Sequence, residues 1–266
     1  MSARPGMPTP SDAGAEPASV SSRAADAALC RSALWEALAL GFRPPTPETV
    51  ERLAGREGAG MLAEAAVVVE DPGEAGAAAV VQALGSDPPP PLAELQAAYE
   101  RFFGHTARGA VPPYETEYGE DSQFQPQREM SDLAAFFRAF GLRLRPDARE
   151  RSDHIACECE YMLVLARKEA CAVEAGDAVM VEDTRRAARL FLRDHVGRWA
   201  PAFGRKLVRE DPEGFYGALG HLCAVFVTAE CHRVGVAAGP DLLRLRSTET
   251  ADVPMACGAE TEASRP

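Results

Sequence analysis

The chain has no apolar run of about 18 or more residues, so no segment is expected to cross a membrane as a helix. It is also short of positive charge: 28 basic against 40 acidic residues leave a formal net charge of −12. Nucleic acids and anionic membrane surfaces both need a basic footprint, so neither is expected as a main partner. Lysine is nearly missing, with Lys168 and Lys206 alone among the arginines; that bias says little about function. The seven cysteines (Cys30, Cys157, Cys159, Cys171, Cys223, Cys231 and Cys257) are odd in number and lack paired CxxC spacing. A disulfide framework is thereby disfavoured and a reducing compartment favoured. The N-terminus lacks the basic, apolar and cleavage-site order of a secretory signal. Arg185-Arg186 is a twin arginine only in composition, because it lies deep in a helical pattern. The expected location is the cytoplasm.

Enzyme signatures are missing as well. There is no glycine-rich phosphate loop ending in Lys-Ser/Thr, no GxGxxG after a strand, no HExxH and no GxSxG. No catalytic residue and no cofactor are assigned, and no enzyme activity is expected. Strand-like alternation of useful length is absent, as is any repeat of fixed period.

What the chain has is helical periodicity. Residues 1–20, rich in Ser, Ala, Pro and Gly, are expected to be a disordered extension. A helix over Ser22–Phe42 follows from the spacing of Ala28, Leu29, Trp35, Leu38 and Phe42, and Pro44-Pro45 end it. Thr46-Pro47 reads as an N-cap with proline at the first helical position. Segments 59–70, 74–84 and 92–103 are helical in propensity or pattern. Met130, Leu133, Ala134, Phe137 and Phe140 recur at helical spacing, with Gly141 as C-terminal cap. Ser152 or Asp153 caps a helix running to about Glu174, and 179–196 and 212–234 give two more. The fold class is all-α: a single multi-helix bundle over residues 21–240, with a flexible tail over 241–266.

Within this helical pattern lies one long non-helical stretch, Pro112-Pro113-Tyr114-Glu115-Thr116-Glu117-Tyr118-Gly119-Glu120-Asp121. Two prolines fix the backbone, two tyrosines offer amphipathic rings, and Glu115, Glu117, Glu120 and Asp121 supply carboxylates. A rigid polar loop of this length inside a helical domain is more often a binding element than filler. Its chemistry suits a cationic, partly apolar peptide. In the helix after Ser152, Ile155, Cys159, Met162, Leu163, Ala166 and Ala170 form an apolar stripe, and His154, Glu158 and Tyr161 share a neighbouring flank. That flank reads either as a wall of a polar groove or as a surface His–Glu pair on a capped helix. Cys157 and Cys159 point to different sides of the helix, so they do not face one ion, and no metal is assigned. Phe102, Phe103, Phe136, Phe137 and Phe140 are core candidates, whereas Tyr99, Tyr114 and Tyr118 each need a hydroxyl partner if buried.

Three segments in this order resemble a known family: Tyr99-Glu100-Arg101-Phe102-Phe103-Gly104, then Pro112 to Gly119, then Asp153-His154 with Glu158 and Glu160-Tyr161-Met162. The series is similar to that of the TorD/DmsD/NarJ redox-enzyme maturation chaperones, over roughly residues 24–235, and the PPYETEYG form resembles their members for DMSO-reductase-type enzymes. The resemblance implies a cofactor-free bundle of the TorD-like type, monomer or homodimer. It further implies binding to the catalytic subunit of a molybdopterin-dependent oxidoreductase through a twin-arginine signal peptide while the cofactor is inserted. The client-binding residues it implies are Tyr99, Phe102, Phe103, Pro112, Pro113, Tyr114, Glu115, Glu117, Tyr118, Asp153, His154 and Glu158. In that picture Pro112–Gly119 is one wall of a peptide groove, Asp153-His154 stands opposite, and the Tyr99–Phe103 helix end is the floor. Two other readings stay open. One is a nitrate-reductase-type chaperone for a subunit that is never exported. The other is a metal- or redox-active helical protein using His154, Cys157, Cys231, His232 and Cys257.

Overall fold

The computed structural model describes residues 20–69, 76–104, 108–120, 125–144 and 150–247. The expected N-terminal extension lies almost wholly outside them, as does Cys257. Ten α-helices and no strand are found among the described residues: α1 Val20–Gly41, α2 Pro47–Thr49, α3 Arg56–Val69, α4 Ala77–Leu84, α5 Leu92–Phe103, α6 Gln125–Ala139, α7 Ile155–Ala175, α8 Ala178–Asp194, α9 Val196–Glu210 and α10 Phe215–Arg233. The all-helical reading holds, and α5 falls on its expected bounds.

Four helices form the centre. The strongest packing is α1 on α7 and α9 on α10, with α8 against α7 and α3 against α4 at the sides. Leu34, Trp35 and Leu38 of α1 and Phe42 just after it are fully buried, as are Trp199 and Phe203 of α9 and Leu219, Leu222 and Val227 of α10. α7 and α10 are apolar on most of their circumference, the signature of a helix inside a core rather than on its surface. Their inward faces are buried almost end to end. Local signals place the turns. Thr46 N–H donates to Thr49 Oγ1 at 3.1 Å, closing the first turn of α2 as Thr46-Pro47 led one to expect. α2 runs on into a single π turn, Val50–Ala54. Gly176, with φ of +68°, ends α7 in the left-handed conformation, and Asp177 Oδ1 accepts from Met180 N–H at 3.0 Å to start α8.

Three points depart from the sequence reading. The sequence reading assigns no helix between residues 196 and 212, yet α9 forms there: Val196, Trp199, Ala200, Phe203 and Leu207 recur at helical spacing, in spite of the poor helix formers Gly197, Pro201 and Gly204. Pro201 cannot donate to the carbonyl of Gly197 four residues back; that carbonyl instead accepts from Gly239 N–H at 2.8 Å. The N-cap of α7 is neither Ser152 nor Asp153 but His154, whose Nδ1 accepts from Ala156 N–H at 3.1 Å. Residues 241–247, expected within a loose tail, form an extended strap held against residues 117–120, because their backbone pairs there and Arg246 is buried.

Gly204 of α9 makes the pairing with α10 possible. A Cβ on Gly204 would lie 2.3 Å from the Gly220 carbonyl oxygen, and one on Gly220 would lie 2.6 Å from that of Gly204. Both obstacles are backbone, so the helices would have to move apart. Gly204→Val is expected to lower stability by about 1–3 kcal/mol, as overpacking does, read as a fall in urea midpoint with helix content retained. An unchanged midpoint would mean that α9 and α10 do not cross this closely.

Candidate functional site

Pro112–Glu120 is a strap between helices. Its first half pairs antiparallel with the entry to α7: Glu115 N–H donates to Asp153 O and Ile155 N–H to Pro113 O, both at 2.9 Å. A single 3-10 turn, Glu115–Glu117, then reverses the chain. Tyr118 closes the loop on itself, its hydroxyl donating to Pro112 O at 2.9 Å while its ring packs on Trp199. The second half pairs with the C-terminal strap: Gly119 N–H donates to Arg244 O at 2.9 Å and Arg246 N–H to Glu117 O at 2.8 Å. Gly119, with φ of +110°, leaves its open side to the Arg246 guanidinium, where a Cβ would sit 3.3 Å from a nitrogen.

The acidic side chains of this region point inward. Glu115, Glu129, Asp153 and Glu158 are all buried. Asp153 takes the Arg151 fork, with Oδ1 at 3.0 Å from Nε and Oδ2 at 2.7 Å from a terminal nitrogen, and accepts from Thr116 Oγ1 at 2.7 Å. Glu129 lies between two arginines, Arg198 at 3.1 Å and Arg246 at 3.0 and 3.2 Å. Glu115 Oε2 is hydrogen-bonded to His195 Nδ1 at 3.0 Å, and its other oxygen is 3.7 Å from Arg198. Glu158 has one short-range donor among the described residues, Trp199 Nε1–H at 3.2 Å. Burial, followed by the neighbouring Glu115 charge, holds the Glu158 carboxyl well above the usual carboxylate range. Burial also raises Glu115, against the pull of His195. His154 is pushed down to about 3 by burial and then by Arg43 and Arg151. It is therefore neutral, as an imidazole accepting at Nδ1 must be.

An open cavity of about 490 Å³ lies next to this cluster, between the residues after α1, the end of α6 and the first turns of α7. Phe137, Leu142, Leu144, Tyr161 and Val164 give it apolar walls; Arg43, Arg143, Glu150 and Glu160 give it charge; His154 and Cys157 complete it. His154, Cys157, Glu160, Tyr161 and Val164 recur at three- and four-residue intervals, so one face of α7 forms the wall. Arg43 pairs with Glu160 across the mouth, with both side chains about half exposed. Tyr114, half-buried, donates to Glu150 Oε1 at 3.4 Å and carries the Arg151 guanidinium 4.3 Å above its ring.

The sequence-derived candidates thus divide. Phe102 and Phe103 are core, Tyr99 is partly buried against Phe103 and Tyr216, and Pro112, Pro113, Glu115, Tyr118, Asp153 and Glu158 are buried in the strap contacts. Glu117 lies at the surface in a 2.8 Å pair with Arg108. Only His154 of the twelve lines the cavity, with Tyr114 beside it. Asp153-His154 does not stand across a gap from the loop; the two segments are hydrogen-bonded edge to edge. His154 and Glu158 are likewise no surface pair. Arg43, Leu142, Arg143, Leu144 and Glu150 were not singled out as site residues; the three- and four-residue spacing along α7 was the signal for that wall. Cys157 and Cys159 do diverge, and burial pushes the Cys157 thiol up to about 12 and holds Cys159 well above the usual thiol range, so neither is a ready thiolate. Among the described residues no group of three His, Cys, Asp or Glu is placed to hold a metal ion.

The described residues thus form an all-helical bundle whose proline strap is zipped to the start of a central helix. Residues 70–205 match the family described as nitrate reductase delta subunit, and the chain belongs to that family. It is 34% identical over 148 residues to a selenate reductase assembly chaperone protein of Thauera selenatis, covering 54% of this chain and 69% of that one. It is 28% identical to a chaperone protein TorD of Photobacterium profundum, covering 50% of this chain and 60% of that one. A chlorate reductase assembly chaperone protein of Ideonella dechloratans is 32% identical, over 43% of this chain and 60% of its own.

The raised carboxyl of Glu158 has a measurable consequence. A group raised in the folded state stabilises fully below its unfolded value, about 4.3, and loses that contribution as pH rises. Glu158→Gln keeps an acceptor for Trp199 and removes the titration. The variant is expected to gain on the wild type between pH 5 and pH 8, by up to about 1.4 kcal/mol per pH unit, in urea denaturation. A gap that stays constant over this range would show that Glu158 ionises like an exposed carboxylate.

Proposed function

We propose that this protein is a cytoplasmic, non-enzymatic chaperone for the catalytic subunit of a molybdenum oxidoreductase. It binds that subunit through a twin-arginine leader and assists its assembly while the molybdopterin cofactor is inserted. Membership of the family and the relatives named as reductase assembly chaperones support the general role. The observation that carries the leader in particular is the cavity beside Tyr114 and His154. A twin-arginine leader offers guanidinium groups followed by an apolar run, and the cavity offers Glu150 and Glu160 beside Phe137, Leu142, Leu144 and Val164. Charge-assisted bonds and ring faces suit the first part, and an apolar wall between helices suits the second. Arg43 already holds Glu160 as an incoming arginine would. An exposed pair of this kind contributes about 1 kcal/mol or less, so exchange is inexpensive.

The test titrates labelled leader peptides and apo-catalytic subunits from the protein's own genome against the full chain. Glu160→Ala and Tyr114→Ala, both at the rim, are expected to weaken binding about tenfold, a change of about 1.4 kcal/mol, with the thermal midpoint nearly unchanged. Affinity should also fall as salt rises. If the chain ignores every leader and every apo-subunit, the reading fails. Binding to an apo-subunit that carries no twin-arginine leader would favour a client that stays in the cytoplasm.

A further inference from the structure

The C-terminal strap reads Leu242-Leu243-Arg244-Leu245-Arg246, apolar and guanidinium side chains in one extended segment. That is the chemistry of the leader proposed above. Its last arginine enters an acidic pocket in the strap contacts. One terminal nitrogen of Arg246 donates to Thr116 O at 2.8 Å and to Glu129 Oε2 at 3.0 Å, the other to Glu129 Oε1 at 3.2 Å, and Nε to Glu120 O at 3.1 Å. The backbone on either side pairs with Glu117 and Gly119, and Leu243 and Leu245 pack against the core.

We infer that the Glu129 carboxylate and the carbonyls of Thr116 and Glu120 form a binding site for an arginine of an extended client peptide. In the free protein the chain's own Arg246 occupies that site. This rests on the leader-binding reading for the client, but the site itself stands on the contacts just given. Apart from the Asp241–Arg205 ion pair, the bonds of the strap are ones that another extended, arginine-bearing segment would reproduce: two backbone pairings, the Arg108 contact to the carbonyl of the last arginine, a guanidinium fork and apolar side chains. Exchange therefore keeps a guanidinium fork on Glu129 before and after, whereas simple release would cost it the Arg246 fork. The strap follows Gly235, with φ of +68°, and belongs to no helix, so it can leave without unwinding one. Tethered to the same chain, it competes at a high effective concentration. A client displaces it only by adding contacts elsewhere, and the cavity is the place for them. Glu129 and Phe137 lie eight residues apart on α6, about 12 Å along its axis, a span that about four extended residues cover.

The test uses the full chain and a labelled peptide of residues 240–247. The peptide is expected to bind Arg246→Ala at least about tenfold tighter than the wild type, where the tether competes. Its counterpart with alanine in place of the last arginine should bind neither. Equal binding to both chains, or binding that survives loss of that arginine, overturns the inference. Should Arg246→Ala not fold, hydrogen exchange on the wild type decides. Excess peptide should expose the Arg246 amide of the chain while Gly119 stays protected; an Arg246 amide that stays protected at saturation overturns it. If the peptide in trans behaves as expected and no leader binds, the site stands and the client reading fails. If leaders bind and Arg246 stays protected, the reverse holds.

Discussion

Four carboxylates buried within a few turns of each other set the terms for the rest of this molecule. An ionised carboxylate carried out of water costs several kcal/mol unless it is paired and hydrogen-bonded. The chain meets that demand from widely separated places. Arg151 and Thr116 hold Asp153, Arg198 and Arg246 hold Glu129, His195 holds Glu115, and Trp199 reaches Glu158. The partners come from the strap, the entry to α7, the start of α9 and the end of the described chain. Removing Arg151, Arg198 or Arg246 takes a positive charge from a buried carboxylate, whereas burial keeps Glu158 neutral. The irregular segments of the protein are therefore its most tightly specified ones.

This arrangement separates two tasks that the sequence motif places side by side. Glu115 and Asp153 close the fold, and their carboxylates are buried in it. What faces outward is Tyr114, the His154 ring at the edge of the cavity, and a second set of charges, Glu150 and Glu160, on neighbouring surfaces. The rim is mobile in the energetic sense, since its ion pairs are half exposed and cheap to exchange. A rigid interior holding an exchangeable rim is what preorganised peptide recognition requires.

Much of the fold was legible. Apolar spacing in α1, α5, α6 and α10, the Thr46-Pro47 start and the Gly141 end all have local causes, and local causes can be read from a single chain. α9 carries the same apolar spacing at Val196, Trp199, Phe203 and Leu207; what a single chain does not show is how its two glycines and its proline are accommodated, through the distant Gly220 and Gly239. The burial of Glu115, Glu129 and Glu158 was not legible for the same reason. Glutamate is an exposed residue by default, and only Arg198, His195 and Arg246, brought in from the other end of the chain, reverse that default. The site was half legible: the α7 face follows from spacing, but Arg43 and Leu142–Leu144 reach the cavity through tertiary packing alone.

The start of α7 carries two groups that the fold keeps uncharged, and their effects on stability run in opposite directions. His154 folds with a value of about 3 against about 6.5 unfolded, so its contribution is complete above pH 6.5 and drains away as pH falls toward 3. Glu158 is raised, so its contribution is complete below about 4.3 and drains away as pH rises. Above about 4.3 the two slopes therefore oppose each other, the gain from His154 with rising pH offsetting the loss from Glu158; below it His154 acts alone and stability falls toward acid. The cap and the buried acid one turn later thus pull the pH of best stability in opposite directions. The cause is burial at the start of α7: the His154 and Glu158 side chains are both taken out of water there, and neither has an opposite charge close enough to keep it ionised.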